Sequence, residues 1–215
     1  MIVLFRKFVN WFLNLLYGRL AFFYDTVACI VSVGDWYQWV FQIEEFLDKD
    51  DKILEVGIGT GKLIERLEKK KYFIIGIDRS KHMLGMIRSK FPVSQLKVCK
   101  ADNLFLPFGE RCFDKVVATF PSDYAFKKQF LLDVKRILKF NGELIILMGV
   151  IFSQKGVVNN FYRFVYWISG QTKSKEDFEK SICSIFGEEP KVQIQWVTNN
   201  NVEICFIRLK NYQFV

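Results

Sequence analysis

The stretch ILEVGIGTGKL, residues 53–63, places three alternating glycines directly after a run of apolar residues. The apolar run is typical of a buried strand, and the residues from Lys62 onward are typical of a helix. Gly57, Gly59 and Gly61 allow the backbone to turn sharply between the two and allow a ligand to approach it closely. The stretch therefore predicts a strand, a binding loop and a helix.

Two other kinds of glycine loop fit this stretch less well. The dinucleotide fingerprint, G-x-G-x-x-G, would need glycine at position 62, which is Lys62. The phosphate-binding loop, G-x-x-x-x-G-K-[ST], would need glycine at position 56 and Ser or Thr at position 63, which are Val56 and Leu63. What remains is an acid, Glu55, two residues before the first glycine. This arrangement resembles that of class I S-adenosylmethionine-dependent methyltransferases.

An acidic residue follows the next predicted strand. Asp78 comes directly after YFIIGI, residues 72–77, and lies 17 residues after Gly61. Its carboxylate would there face the ribose hydroxyls of a nucleoside held over the loop. Ser80 is available to cap the following helix, so Asp78 is not needed for that purpose.

Two further segments carry the resemblance. In ADNLFLPFGERCFD, residues 101–114, Asp102 stands where family members have the acid that accepts from the adenine amino group. Leu-Pro-Phe and Phe-Asp follow it, as they do in the family. VKRILKFNGELIIL, residues 134–147, looks like the family's helix, glycine turn and fifth strand. The matches therefore keep the family's order from residue 53 to residue 147.

The resemblance extends upstream. Residues 16–39, LYGRLAFFYDTVACIVSVGDWYQW, are similar to the N-terminal cap of quinone-biosynthesis C-methyltransferases, which belong to the type 11-like group of this family. Tyr24 and Asp25 fall in register with that cap. Ala28 replaces the family's Asn, and FPSDY, residues 120–124, replaces its Phe-Gly-Leu-Arg-Asn. Because FPSDY lies at the substrate side of the cofactor, we do not expect the substrate to be inherited with the cap.

Short apolar runs alternate with helical patterns from Asp51 onward, which is typical of a parallel sheet with helices on both faces. Two alternating runs, from Val192 and from Val202, predict a C-terminal antiparallel hairpin. Strands are expected near residues 52–56, 72–77, 95–99, 114–119 and 143–150, and helices over residues 61–70, 81–90, 125–140 and 176–186. The third of these helices is expected to end at Asn141-Gly142, with Gly142 in a left-handed cap.

The resemblance implies an α/β fold: a Rossmann-like seven-stranded sheet in the order 3-2-1-4-5-7-6, with the last strand antiparallel and helices on both faces. It implies an N-terminal helical cap or lid over residues 1–46 and a methyltransferase domain over residues 47–215. The cofactor would be S-adenosyl-L-methionine. The residues expected to bind it are Glu55, Gly57, Gly59, Gly61, Asp78, Met83, Asp102 and Asn103.

Methyl transfer from a sulfonium needs no metal and no covalent intermediate, so the protein chiefly positions the acceptor and excludes water. We expect Tyr24, from the cap, and Tyr124, after the fourth strand, to be the catalytic side chains. Asp25, Asp123 and the lone histidine, His82, are alternatives for a general base.

Aromatic residues crowd two segments that are expected to flank the site, residues 22–24 and 161–167. They favour a small lipophilic molecule or a lipid head group over a nucleotide or a sugar as the methyl acceptor. Two alternatives stay open. One is a catalytically silent cofactor-binding or membrane-surface protein of the same fold, and the other is a nucleic-acid methyltransferase.

The net charge of +8, from 31 Lys and Arg against 23 Asp and Glu, prompts the nucleic-acid alternative. The basic residues are scattered, however, and TFPSDY, residues 119–124, stands where an N/D-P-P-Y/F signature would follow the fourth strand. Nucleic acid is therefore the disfavoured partner. The oligomeric state is left open by the sequence.

Residues 1–24 carry three basic residues and no acid. Two interpretations stay open: amphipathic helices that pack on the domain, or a surface that makes a peripheral membrane contact. The longest uncharged run of this segment, residues 8–18, is too short to span a bilayer. Five cysteines without C-x-x-C spacing and a single histidine indicate neither a disulfide framework nor a zinc site. The expected location is the cytoplasm, at the inner face of the membrane if the basic N-terminus binds lipid.

Overall fold

The computed structural model describes residues 35–91, 97–152, 175–186, 192–199 and 202–211. Several predictions from the sequence lie outside these residues. They concern Tyr24 and Asp25, the part of the cap before residue 35 with its membrane contact, and the aromatic segment 161–167. Among the described helices, none has the length and apolar character needed to cross a membrane.

The predicted sheet is confirmed. Its strands are β1 (Lys52–Val56), β2 (Phe73–Asp78), β3 (Val98–Lys100), β4 (Phe113–Thr119), β5 (Leu138–Phe152), β6 (Gln193–Asn199) and β7 (Val202–Lys210). They form one sheet in the order β3-β2-β1-β4-β5-β7-β6. The first five strands pair in parallel, whereas β7 runs antiparallel to both β5 and β6. The parallel strands therefore bring their carboxyl ends to one edge of the sheet.

Helices cover both faces of this sheet. They are α1 (Trp36–Phe41), α2 (Lys62–Lys69), α3 (Lys81–Lys90), α4 (Lys128–Ile137) and α5 (Lys175–Phe186), with 3-10 turns over Gln42–Phe46 and Asp123–Phe126. The side chains of each strand alternate between two apolar clusters, as strand geometry requires. Leu54 and Val116 face the cluster that contains α4 and α5, while Ile53 and Val117 face the cluster of α1 and α2.

The third predicted helix is wrong at both ends. It was expected over residues 125–140, but the first turn is a 3-10 turn and α4 ends at Ile137, where β5 begins at once. The side-chain amide of Asn211 donates to the carbonyl oxygens of Leu138 and Lys139, at 2.9 Å each, and so fixes them in the strand. These contacts come from the far end of the chain, so the local sequence could not reveal them.

Gly142 is also not in the expected left-handed cap, since the described glycines with positive φ are those of the loop at residues 57–61. A Cβ atom at Gly142 would lie 2.9 Å from the carbonyl oxygen of Lys139 and 3.1 Å from that of Asp114. Glycine is needed there because neighbouring backbone comes too close for any side chain.

Residues 36–46, the described end of the predicted cap, pack into the core. Trp39, Val40 and Ile43 are buried in the cluster that α2 covers. The carboxylate of Glu44 forms ion pairs with Arg66 and Lys70. This end of the cap is therefore joined to the domain that carries the glycine loop.

Candidate cofactor-binding and active site

The glycine loop begins where β1 ends. The backbone amides of Gly57 and Ile58 both donate to the carbonyl oxygen of Ile77 in β2, at 2.8 and 3.1 Å. Gly57, Gly59 and Gly61 have φ angles of +78°, +53° and +78°, a region that residues with side chains rarely adopt. The three glycines thus turn the chain away from the sheet and into α2.

The space around the loop differs from one glycine to the next. A Cβ atom at Gly57 would lie 2.9 Å from the hydroxyl oxygen of Tyr124, whereas a Cβ atom at Gly59 would have no described heavy atom within 4 Å. Gly57 therefore packs against the protein itself. Gly59 faces open space, as a loop that lies against a ligand must.

The carboxylate of Asp78, at the end of β2, binds the backbone of the glycine loop. One carboxylate oxygen accepts a hydrogen bond from the amide of Gly59 at 3.0 Å, and the other accepts from the amide of Ser80 at 2.7 Å. The Ser80 side chain caps α3 by accepting from the amide of Met83, as predicted. Burial raises the pKa of Asp78 above its usual value, although the two amide hydrogen bonds oppose this effect.

Glu55 is an acid in the core of the protein, 1% exposed. Glu55 follows Leu54 in β1, and side chains alternate along a strand, so Glu55 lies on the same face as Ile53, toward α1 and α2. Burial, and secondly the charge of Asp78, raise the pKa of Glu55 to about 8. One of its carboxylate oxygens, Oε2, has no hydrogen-bond partner among the described residues. A buried acceptor without a partner is costly, so a donor is expected at this position.

A small cavity of about 50 Å³ lies beside Glu55, between α1 and the glycine loop. It is much smaller than the roughly 300–1,000 Å³ of most ligand pockets, so the described residues enclose one end of a ligand rather than a whole one. Its lining is formed by Trp36, Tyr37, Val40, Glu55, Gly57, Ile58, Gly59, Thr60, Lys62, Leu63 and Thr119.

Three more of the predicted residues lie in the segments that follow β2 and β3. Asp102 is exposed, and one of its carboxylate oxygens accepts from the amide of Leu104 at 2.9 Å. Asn103 is buried, and its side-chain oxygen has no hydrogen-bond partner among the described residues. Its side-chain nitrogen would lie 3.9 Å from a Cβ atom at Gly57. Met83 is fully buried in the first turn of α3.

Tyr124, the described candidate for catalysis, reaches the loop from the 3-10 turn after β4. Its hydroxyl donates to the carbonyl oxygen of Val56 at 2.9 Å, and its ring packs edge-on against Phe130. Of the alternatives, Asp123 forms an ion pair with Lys127 at 3.5 Å and His82 is exposed on α3. Among the catalytic candidates that the structure describes, Tyr124 is therefore the one that contacts the start of the loop. The contact is a hydrogen bond that its hydroxyl group donates.

Sequence reasoning missed an aromatic pair beside the cavity. Phe120 directly follows β4 and has a φ angle of +45°, which is strained for an aromatic residue. Its ring stacks on that of Trp36, with centroids 4.2 Å apart, and its amide donates to the carbonyl oxygen of Leu147 at 2.8 Å. The aromatic residue directly before Pro121 at the end of a strand was the available signal.

A sheet of this order, with an acid within β1, a glycine loop after it and a second acid as the last residue of β2, is the arrangement found in class I S-adenosylmethionine-dependent methyltransferases. Comparison with known proteins agrees. Residues 53–142 match the profile of a methyltransferase domain family. This segment is thus similar to a methyltransferase domain of that class, in which the cofactor is S-adenosyl-L-methionine.

Individual relatives point the same way. The chain is 30% identical over 142 residues to the ubiquinone/menaquinone biosynthesis C-methyltransferase UbiE of Wigglesworthia glossinidia brevipalpis, covering 61% of this chain and 57% of that one. It is 29% identical over 154 residues to the demethylmenaquinone methyltransferase of Thermotoga maritima, covering 69% and 66% respectively. The chain thus spans less than two thirds of the length of these relatives.

A solved structure shows the same fold. It is that of a proposed S-adenosyl-L-methionine-dependent methyltransferase from Methanococcus maripaludis. The TM-score is 0.60 at 16% sequence identity, and the match covers 88% of this chain and 90% of that one.

The residues of the site fit this cofactor. Glu55 and Asn103 each keep a buried oxygen atom without a partner, available to a donor on a ligand. Gly59 leaves open space above the loop, and Asp78 ends β2 while Asp102 follows the neighbouring strand β3 at the same edge of the sheet. Among the described residues, no group of three or more His, Cys, Asp or Glu side chains could hold a metal ion.

Proposed function

We propose that this protein transfers the methyl group of S-adenosylmethionine to a small lipophilic or lipid-like acceptor. The observation that carries the proposal is the contrast within one site. Buried polar side chains lie in β1, at the end of β2 and after β3, namely Glu55, Asp78 and Asn103. The stacked rings of Trp36 and Phe120 lie beside the cavity, at the end of β4. The relatives named for ubiquinone and menaquinone biosynthesis support a lipophilic acceptor.

The cofactor supplies an electrophilic methyl group on a sulfonium, and the residues of this chain hold it in place. Glu55 would accept from the ammonium group of the amino-acid end, where its Oε2 has no other partner. Asp78 would accept from the ribose hydroxyls, and Asp102 from the adenine amino group. Met83, Asn103 and the three loop glycines would complete the binding surface.

On the acceptor side, Trp36 and Phe120 would exclude water from the reacting atoms. An acceptor that must lose a proton needs a base, whereas a neutral amine needs little help. Tyr24, which lies outside the described residues, stays our candidate on the cap side. Tyr124 contributes by holding the loop, because its hydroxyl proton is donated to the Val56 carbonyl. We therefore assign Tyr124 a positioning role, which the pH profile of transfer by Tyr124→Phe tests.

The rest of the proposal concerns the protein's surroundings and rests on the sequence. A cytoplasmic enzyme that finds its acceptor at the inner face of the membrane would use the basic, aromatic residues 1–24 for a peripheral contact. Residues 1–46 would then act as a cap over the site, fixed at its described end by α1.

The proposal is tested by incubating the protein with methyl-deuterated S-adenosylmethionine and, in separate reactions, a cell lipid extract or cellular RNA and DNA, followed by mass spectrometry. We expect a lipid species that gains the labelled methyl group with the wild-type protein and not with Asp78→Ala. Label that enters RNA or DNA instead would favour a nucleic-acid methyltransferase. Cofactor binding without transfer into any fraction would favour a catalytically silent protein.

A further inference from the structure

The cavity beside Glu55 has a second charged wall. Lys62, the first residue of α2, directly follows the glycine loop and also lines the cavity. Among the described lining residues it is the single cation, and Glu55 is the single acid. Glu55, whose Oε2 has no hydrogen-bond partner among the described residues, and Lys62 thus line the same cavity of about 50 Å³.

We propose that Lys62 binds the carboxylate of the cofactor's amino-acid end while Glu55 binds its ammonium group, so that the cavity is a site for a zwitterion. This inference rests on the proposed binding of S-adenosylmethionine. It assigns to a lysine side chain a contact that the loop amides and the helix terminus could otherwise make alone.

The position of Lys62 supports this role. Its ammonium nitrogen lies 6.0 Å from the ring centre of Tyr37, another residue that lines the cavity. Lys62 also begins α2, and the positive end of the helix dipole favours the same negative group. A carboxylate there would meet two independent sources of positive potential.

Lys62 can exchange its present partner, Glu65, for a ligand carboxylate. Its nitrogen lies 3.4 Å from Glu65 Oε2, which is long for an ion pair, and its side chain is 37% exposed. Glu65 keeps a closer partner in Lys69, at 2.7 Å from its other oxygen. Such exposed pairs contribute little, so a ligand carboxylate can compete for Lys62 without leaving Glu65 unpaired.

Two ligands that differ only in the carboxylate isolate the contribution of the Lys62 contact from that of the other contacts in the site. Calorimetry would compare S-adenosylmethionine with its decarboxylated form, which keeps the nucleoside, the sulfonium and the ammonium group but lacks the carboxylate. For Lys62→Gln we expect about tenfold weaker binding of S-adenosylmethionine and less than a twofold change for the decarboxylated form. Lys62→Arg, which keeps the charge, should restore most of the loss.

Two further variants serve as controls. Lys69→Gln removes the neighbouring charge that also pairs with Glu65, but it does not line the cavity, so both affinities should stay unchanged. Glu55→Gln should weaken both ligands, because both carry the ammonium group. Equal effects of Lys62→Gln on the two ligands, or no effect on either, would overturn the inference and leave the proposed function standing. Failure of the wild-type protein to bind either ligand would instead remove the proposed function itself.

Discussion

The hydroxyl of Tyr124 donates a hydrogen bond to the backbone carbonyl of Val56 across 2.9 Å, joining residues that are 68 positions apart in the chain. Val56 is the last residue of β1 and directly precedes the glycine loop. The turn after β4, at the acceptor side, is therefore tied to the start of the cofactor loop. A substitution in the turn after β4 should therefore alter the cofactor loop.

Replacement of Tyr124 by Phe removes this hydrogen bond and leaves the ring in place. We expect the free energy of unfolding to fall by about 1 kcal/mol, the usual net contribution of one such bond. We also expect the KM for the cofactor to rise, because the loop is less firmly held. Urea unfolding and steady-state kinetics would measure the two effects.

The pH profile of transfer distinguishes positioning from base catalysis by Tyr124. A positioning role leaves the profile of Tyr124→Phe unchanged in shape. Loss of one limb of the profile, together with a fall in kcat of a hundredfold or more, would instead make Tyr124 a catalytic base.

The loop glycines offer a matched pair of alanine substitutions. Gly57→Ala and Gly59→Ala both force a side chain into positive φ, at a cost of about 1–2 kcal/mol each. Gly57→Ala also brings a methyl group within 2.9 Å of the Tyr124 hydroxyl, so it should destabilise the protein more. Gly59→Ala should mainly weaken cofactor binding, since its methyl group enters the open space above the loop. Thermal unfolding and calorimetry on both variants would check this order, and equal destabilisation would contradict it.

Glu55 should make the stability of the ligand-free protein depend on pH. Its pKa is about 8 in the folded protein against 4.5 for an ordinary glutamate, so between these values the folded state holds the extra proton. The stabilisation is complete below pH 4.5 and is lost as the pH rises through 8. Relative to Glu55→Gln, the wild type should lose stability from pH 5 to pH 8, at a rate approaching about 1.4 kcal/mol per pH unit.

Urea unfolding of both proteins at pH 5, 6.5 and 8 would measure this difference. Glutamine keeps the shape of the protonated acid but does not titrate, so it is the appropriate reference. A difference between the two proteins that stays constant with pH would show that Glu55 is ionised in the folded state.

Much of the fold could be predicted because its signals are local. The apolar run before Gly57, the acid after YFIIGI and the serine before α3 each report on their own few residues, and Ser80 caps α3 as expected. The sheet order followed from the family resemblance. Its confirmation depends on the pairing of β5 with β7, which no local pattern contains.

The predictions from the sequence are wrong or incomplete where contacts between residues far apart in the chain determine the structure. The end of α4 depends on Asn211, which binds the carbonyl groups of Leu138 and Lys139. The stack of Phe120 on Trp36 joins residues 84 positions apart and needs a strained backbone that no propensity favours (120 − 36 = 84). The charge of Lys62 could be read from the sequence, but its place in the wall of a cavity with Glu55 could not.

Calorimetric titration of the wild-type protein and of Asp78→Ala with S-adenosylhomocysteine tests most directly whether the three strand ends form one cofactor site. The Asp78→Ala substitution removes both the contacts to the ligand and the hydrogen bond from the Gly59 amide. It should therefore weaken the binding of the nucleoside and loosen the loop. We predict one binding site in the wild type and an affinity lower by about ten- to a hundredfold in the variant, with thermal unfolding confirming that the variant is folded. Unchanged affinity in a folded Asp78→Ala protein would contradict the assignment of this site.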